Sequence, residues 1–174
     1  MDRISLNIST PTEPIRPGRG FYQLEEDILF IQVGRFSFRR RFFSYLEAPN
    51  CWLDFDRDGR LIFIEMNTPQ RQWETKSELS SPEVVEAADI RFLNFREKIP
   101  APQIFTNPKQ DLVKIKFGDN GGGMFYYLGE DVIAETDQNQ HLSAIWVNKI
   151  TTDFAGREIR KYRKANRLVK SYFS

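Results

Sequence analysis

Three carboxylates spaced two apart, Asp54, Asp56 and Asp58, precede Gly59, and Glu65 stands at the twelfth position of the same stretch. That spacing matches a calcium loop: oxygen ligands at positions one, three and five, glycine at six to turn the chain, and a two-oxygen carboxylate at twelve. The flanks speak for something else. Pro49 and Asn50 interrupt the approach and Pro69 follows the exit, so neither side reads as a helix. Ile62-Phe63-Ile64 favours a strand. A strand advances about 3.3 Å per residue and would carry Glu65 away from the turn. The expectation is a structural turn in which Asp56 and Asp58 cap backbone N–H groups, with a cation site at Asp54, Asp56 and Asp58 as the alternative.

Two basic elements offer a different chemistry. Arg39, Arg40 and Arg41 sit among Phe36, Phe38, Phe42 and Phe43, a mixture that can pair phosphates and stack bases in a single-strand binder. The same residues suit a strand with an aromatic inner face and a solvated basic outer one. Near the C-terminus Arg160, Lys161, Arg163, Lys164 and Arg167 crowd a segment with a helical apolar stripe, Ile159, Tyr162, Asn166, Val169 and Phe173. Such a helix could lie on phosphate, on an anionic membrane, on an acidic protein groove, or on the protein's own sheet with its basic residues in water.

Residues usually recruited for catalysis are sparse. His141 is the single histidine, and Cys51 the single cysteine, which leaves no intrachain disulfide and no multi-cysteine zinc site. Gly121-Gly122-Gly123 lacks the Lys-Ser/Thr of a phosphate loop and reads as a flexible connection. No cofactor is implied. The formal charge of +1 gives no global field toward nucleic acid or away from it. No window approaches 18 uninterrupted apolar residues, and the start of the chain lacks the apolar stretch of a secretory signal. A cytoplasmic protein is the expectation.

The elements that must position these residues are strands. Residues 27–33 form a β-type run closed by Gly34, residues 35–39 alternate with period two, and 51–55 and 60–66 flank the Asp56–Gly59 turn as a hairpin. The grammar then repeats. Residues 105–117 parallel 21–33 at an offset of 84, and 132–145 parallel the first hairpin at an offset of 81. Asp137 then falls on Asp56, His141 on Arg60 and Trp146 on Glu65.

The stretch Trp52 to Met66 resembles the hallmark of a small, mostly bacterial family, the domain of unknown function numbered 2283. Asp27-Ile28-Leu29-Phe30-Ile31 is similar to that family's upstream strand. Phe63 departs by replacing a usual small residue. The resemblance implies a β-rich fold in two diverged copies and carries no activity.

The chain is therefore expected to be mainly β with minor α (α+β), built from two tandem antiparallel β-meander units packed together. Its expected parts are an irregular arm at 1–20, a first β unit at 21–79, a helical linker at 80–98, a second β unit at 99–150 and a basic helix at 151–174. Ser80-Ser81-Pro82-Glu83 offers the linker helix a capping serine, Pro near its first position and an acidic first turn, and the helix is expected to be short because Ile90-Arg91-Phe92 can already read as strand. The expected function is a non-enzymatic protein-interaction or regulatory module whose partner is another protein or a second copy. Nucleic-acid binding and a cation-dependent role stand as alternatives.

Overall fold

The computed structural model describes residues 3–34, 42–161, 163 and 164. Its strands are β1 (Leu6–Ser9), β2 (Gly18–Gln23), β3 (Ile28–Val33), β4 (Ser44–Ala48), β5 (Cys51–Phe55), β6 (Leu61–Met66), β7 (Glu74–Thr75) and β8 (Asp89–Phe92). They continue with β9 (Glu97–Lys98), β10 (Gln103–Thr106), β11 (Val113–Lys116), β12 (Met124–Gly129), β13 (Val132–Thr136), β14 (Leu142–Val147) and β15 (Thr151–Thr152). The first sheet runs β15-β2-β3-β6-β5-β4-β9, the second β12-β13-β14-β11-β10-β7, and β1 pairs with β8 as a separate ribbon. The protein is thus mainly β, with a short helix over residues 157–161 and 163–164.

Strand order and register coincide in the two sheets. The order β2-β3-β6-β5-β4 of the first matches β10-β11-β14-β13-β12 of the second. Phe21 faces Phe30 as Phe105 faces Lys114, Ile31 faces Ile64 as Ile115 faces Ile145, and Asp54 faces Phe63 as Glu135 faces Ala144. Even the edges correspond, by exchange. The segment leaving the first unit forms β7 and pairs in parallel with β10, Glu74 opposite Phe105. The segment leaving the second forms β15 and pairs in parallel with β2, Thr151 opposite Phe21.

Period-two patterning puts one set of side chains between the sheets. Leu29, Ile31, Leu53, Phe55 and Ile64 from the first sheet merge with Val113, Ile115, Ala134, Ile145 and Val147 from the second in one core, which Leu6, Ile90 and Phe92 of the ribbon extend. Where β2 meets the end of β12 the backbones touch. A Cβ on Gly129 would lie 2.8 Å from the Pro17 carbonyl oxygen and 3.0 Å from the Gly18 Cα, so only glycine fits that crossing.

Each sheet's outer face is covered by the segment that leaves the other unit. Ile159 of the C-terminal helix packs on Phe21, Phe30, Ile62 and Phe63 of the first sheet. Leu79 and Val85, from the linker after β7, pack on Leu112, Ile133, Ala144 and Trp146 of the second.

Three expectations need correction. The arm at 1–20 is not wholly irregular: Ile4, Leu6 and Ile8 alternate, and β1 pairs with β8 from Leu6 opposite Phe92 to Ser9 opposite Asp89. The linker at 80–98 is not helical. Residues 80–88 form no helix and pass the edge of the second sheet, where Glu86 bridges to Tyr126, and β8 and β9 follow. Backbone pairing with an open sheet edge and burial of Val85 outweigh the local capping signal there. The third concerns residues 151–156, which are not helical: β15 and a 3-10 turn at Phe154–Gly156 come first. Gly156, at a φ of 65°, separates them from the helix. Asp153 caps that helix, its carboxylate accepting from the N–H groups of Glu158 at 2.9 Å and Ile159 at 3.2 Å. The expected strand at 35–39 and the end of the basic helix lie outside the described residues.

Candidate functional site

The acidic turn is a capped hairpin. One Asp56 carboxylate oxygen accepts from the Asp58 and Arg60 N–H groups, both at 2.9 Å, and the Asp56 N–H donates to the Arg60 carbonyl at 2.9 Å. Gly59 takes a φ of 82°, the left-handed conformation that closes the turn. Asp137 repeats the device, accepting from Asn139 and His141 N–H at 2.9 Å each. Among the described residues Asp58 caps no backbone N–H group, and it lies 3.2 Å from the Arg60 guanidinium. Asp54 accepts from the Trp52 indole N–H, and Glu65 sits in β6 between Phe30 and Trp52. Among the described residues no three His, Cys, Asp or Glu side chains converge as a metal cage.

Asp56 is 2% exposed, so its two caps carry weight. Asp56→Ala leaves two N–H donors without their acceptor and is expected to cost about 1–3 kcal/mol by chemical denaturation. Asp56→Asn keeps an accepting oxygen and is expected to cost a small fraction of that. Equal losses from the two substitutions would contradict the capping role.

Burial pushes the Glu65 carboxyl above its ordinary 4.5, with Arg163 opposing and Glu26 adding to the rise. A carboxylate whose folded-state pKa is raised costs stability when ionised. Glu65→Gln is therefore expected to melt above the wild type at neutral pH. That advantage shrinks as the pH falls through the raised value and vanishes below 4.5. A lower melting temperature for the variant at neutral pH would reverse this assignment.

The basic residues of the C-terminal segment are largely engaged by the protein's own oxygens. Arg163 forks onto the two Glu26 carboxylate oxygens at 3.0 Å each and lies over the Phe30 ring. Arg160 donates to the Gly156 and Ala155 carbonyls at 3.2 and 2.7 Å. Lys161 lies 3.8 Å from Glu158, and Lys164 is exposed. Arg39, Arg40, Arg41 and Arg167 lie outside the described residues.

The single histidine is half-buried: His141 bridges to Ser5, and its Nδ1 lies 3.3 Å from an Asp137 oxygen. Cys51 is buried on the core side of β5. Burial, and then the Glu65 charge, pushes its thiol far above the range in which a thiolate forms at neutral pH.

A site that the sequence did not single out lies on the outer face of the second sheet. A groove of about 520 Å³ opens between the linker at Ser80–Val84 and the first half of β12. Trp146 floors it. The Trp146 indole N–H donates to Glu135 at 3.2 Å, and Lys114 lies over the ring at 5.1 Å, so both neighbouring strands hold the ring. Phe125, on the same face of the sheet as Trp146, forms the wall on the strand side. Val84 and Met124, at the mouth, are 78% and 45% exposed. Glu83 and Glu86 also line the mouth and have no ion-pair partner among the described residues. A volume of this size suits a small ligand or a few residues of a peptide. Trp146 was legible only as the counterpart of Glu65, since nothing in its neighbourhood marks a linker running alongside.

No protein-family model matches the chain. No curated protein matches it either.

Proposed function

We propose that this protein is a non-enzymatic interaction module that docks a segment of another protein in the groove on its second sheet. The observation that carries the reading is the exposure of Val84 and Met124 in the lining of a groove that Trp146 and Phe125 also line. Large apolar side chains grouped at a concave site mark recognition surfaces, and aromatic residues are the usual anchors there. The nucleic-acid alternative draws less support, because Arg160, Lys161 and Arg163 already face the protein's own oxygens. We also infer that the two sheets descend from one duplicated unit, on the strength of their common strand order and register.

A phage-displayed peptide library panned on the immobilised protein tests the docking reading. The library is first depleted on the Val84→Arg/Met124→Arg double variant, whose fold is checked by circular dichroism. The expected result is a family of peptides that binds the wild type and loses at least about tenfold in affinity, or 1.4 kcal/mol, on the double variant. No enrichment, or peptides held equally by both proteins, would overturn it.

A further inference from the structure

Both edges of the first sheet are closed by short parallel strands, β15 on β2 and β9 on β4. On the second sheet β7 closes the β10 side. The other edge, β12, is a six-residue strand held from outside at one point among the described residues, the bridge from Glu86 to Tyr126. There the Glu86 N–H donates to the Phe125 carbonyl at 2.9 Å, and the Tyr127 N–H donates to the Glu86 carbonyl at 3.0 Å. Within a strand a residue's N–H and C=O point to the same side. Phe125 therefore turns its N–H out of the sheet as well, toward the stretch where the linker has left the edge and the groove opens.

An open edge beside an apolar floor is the geometry that receives an added strand. Main-chain hydrogen bonds give such a complex its affinity, and pockets for alternate side chains give it selectivity. The chemistry of the alternate positions follows from the walls. Side chains directed inward meet Trp146 and Phe125, and those directed outward pass Glu83 and Glu86. We infer that the partner segment is a short extended strand, alternating apolar and basic residues, which adds to the β12 edge and continues the line begun by Glu86. This inference rests on the docking reading and sharpens it by naming the backbone geometry and charge of the partner.

The probe is a fluorescein-labelled peptide with three Lys-Val repeats, measured by fluorescence anisotropy against the full chain. Saturable binding is expected, with at least a tenfold loss for a Glu-Val peptide of the same length and for the Glu83→Lys/Glu86→Lys variant. N-methylation of the three alternate residues facing β12 is expected to abolish binding, whereas methylating the other three is tolerated. The Phe125 amide resonance should shift, and its hydrogen exchange should slow, in the complex. Equal binding of the Glu-Val peptide overturns the charge assignment, and tolerance of both methylation patterns overturns strand addition. In either case loss of binding on Met124→Arg would leave the groove reading standing. Absence of saturable binding up to about 1 mM peptide overturns the strand inference, while the groove reading is judged separately by the library selection.

Discussion

Replacing Arg60 by alanine is expected to cost about 3–5 kcal/mol of unfolding free energy at neutral pH. Arg60 leaves the first hairpin turn and forks onto Asp89 of β8, Nε to one oxygen at 3.0 Å and Nη2 to the other at 3.2 Å. The two side chains are 14% and 8% exposed, so removing one partner strands the other where water reaches it poorly. Arg91, 3.4 Å from the same carboxylate, offsets part of the loss and places the expected value toward the lower end. The pH dependence supplies a second check. Burial works against the Asp89 charge, but hydrogen bonding and attraction from Arg60, then Arg91, outweigh it, so the carboxyl sits below its ordinary 3.8. A carboxyl held low in the folded state adds stability above its unfolded value and loses it as the pH falls through the folded one. The gap between wild type and Arg60→Ala in urea unfolding should therefore be widest near neutrality and should narrow below about pH 3.8. A gap independent of pH would show that Arg60 acts through its aliphatic stem.

Phe55→Ala is expected to cost a similar amount, about 3–5 kcal/mol, by a different route. Phe55 is fully buried, with its ring centroid 4.6 Å from Phe92 and 5.9 Å from Phe95. The cavity left by the ring opens where the first hairpin meets the central ribbon, beside the hydrogen bond from the Phe92 N–H to the Gly59 carbonyl at 2.7 Å. Amide exchange at Phe92 should therefore rise more than the global loss of stability accounts for. Phe55→Leu retains much of the volume and should recover more than half of the loss. If Phe55→Ala and Phe55→Leu proved equally stable, the ring would not be a packing centre.

The counterpart of Phe55 in the second unit is Thr136, and that pair shows why the fold was partly legible in the sequence. Alternation and the Asp-led turns located both hairpins, because strands of five or six residues carry a readable period. The offsets of 84 and 81 placed Phe105 and Asp137 on their structural counterparts even where the residue types differ. The two-residue edge strands β7, β9 and β15 carry no period at all; β7 and β15 pair with the opposite unit, and β9, itself in the linker, pairs with β4 of the first unit. Only the three-dimensional arrangement assigns them. The linker misled for a related reason. Ser80, Pro82 and Glu83 satisfy local helix rules, yet Glu86 and Val85 are claimed by a sheet edge at Tyr126 and a sheet face built from Leu112, Ile133, Ala144 and Trp146, all later in the chain. Because the groove exists only through that linker, no residue-type signal could have located it.

The docking account is tested most directly by mapping a library-selected peptide on the protein with amide hydrogen exchange. Protection confined to residues 80–86 and 123–126, and lost in the Val84→Arg/Met124→Arg variant, is the predicted result. Protection that instead covers the C-terminal helix at 157–161 and the outer face of the first sheet, with residues 80–86 unchanged, would contradict it.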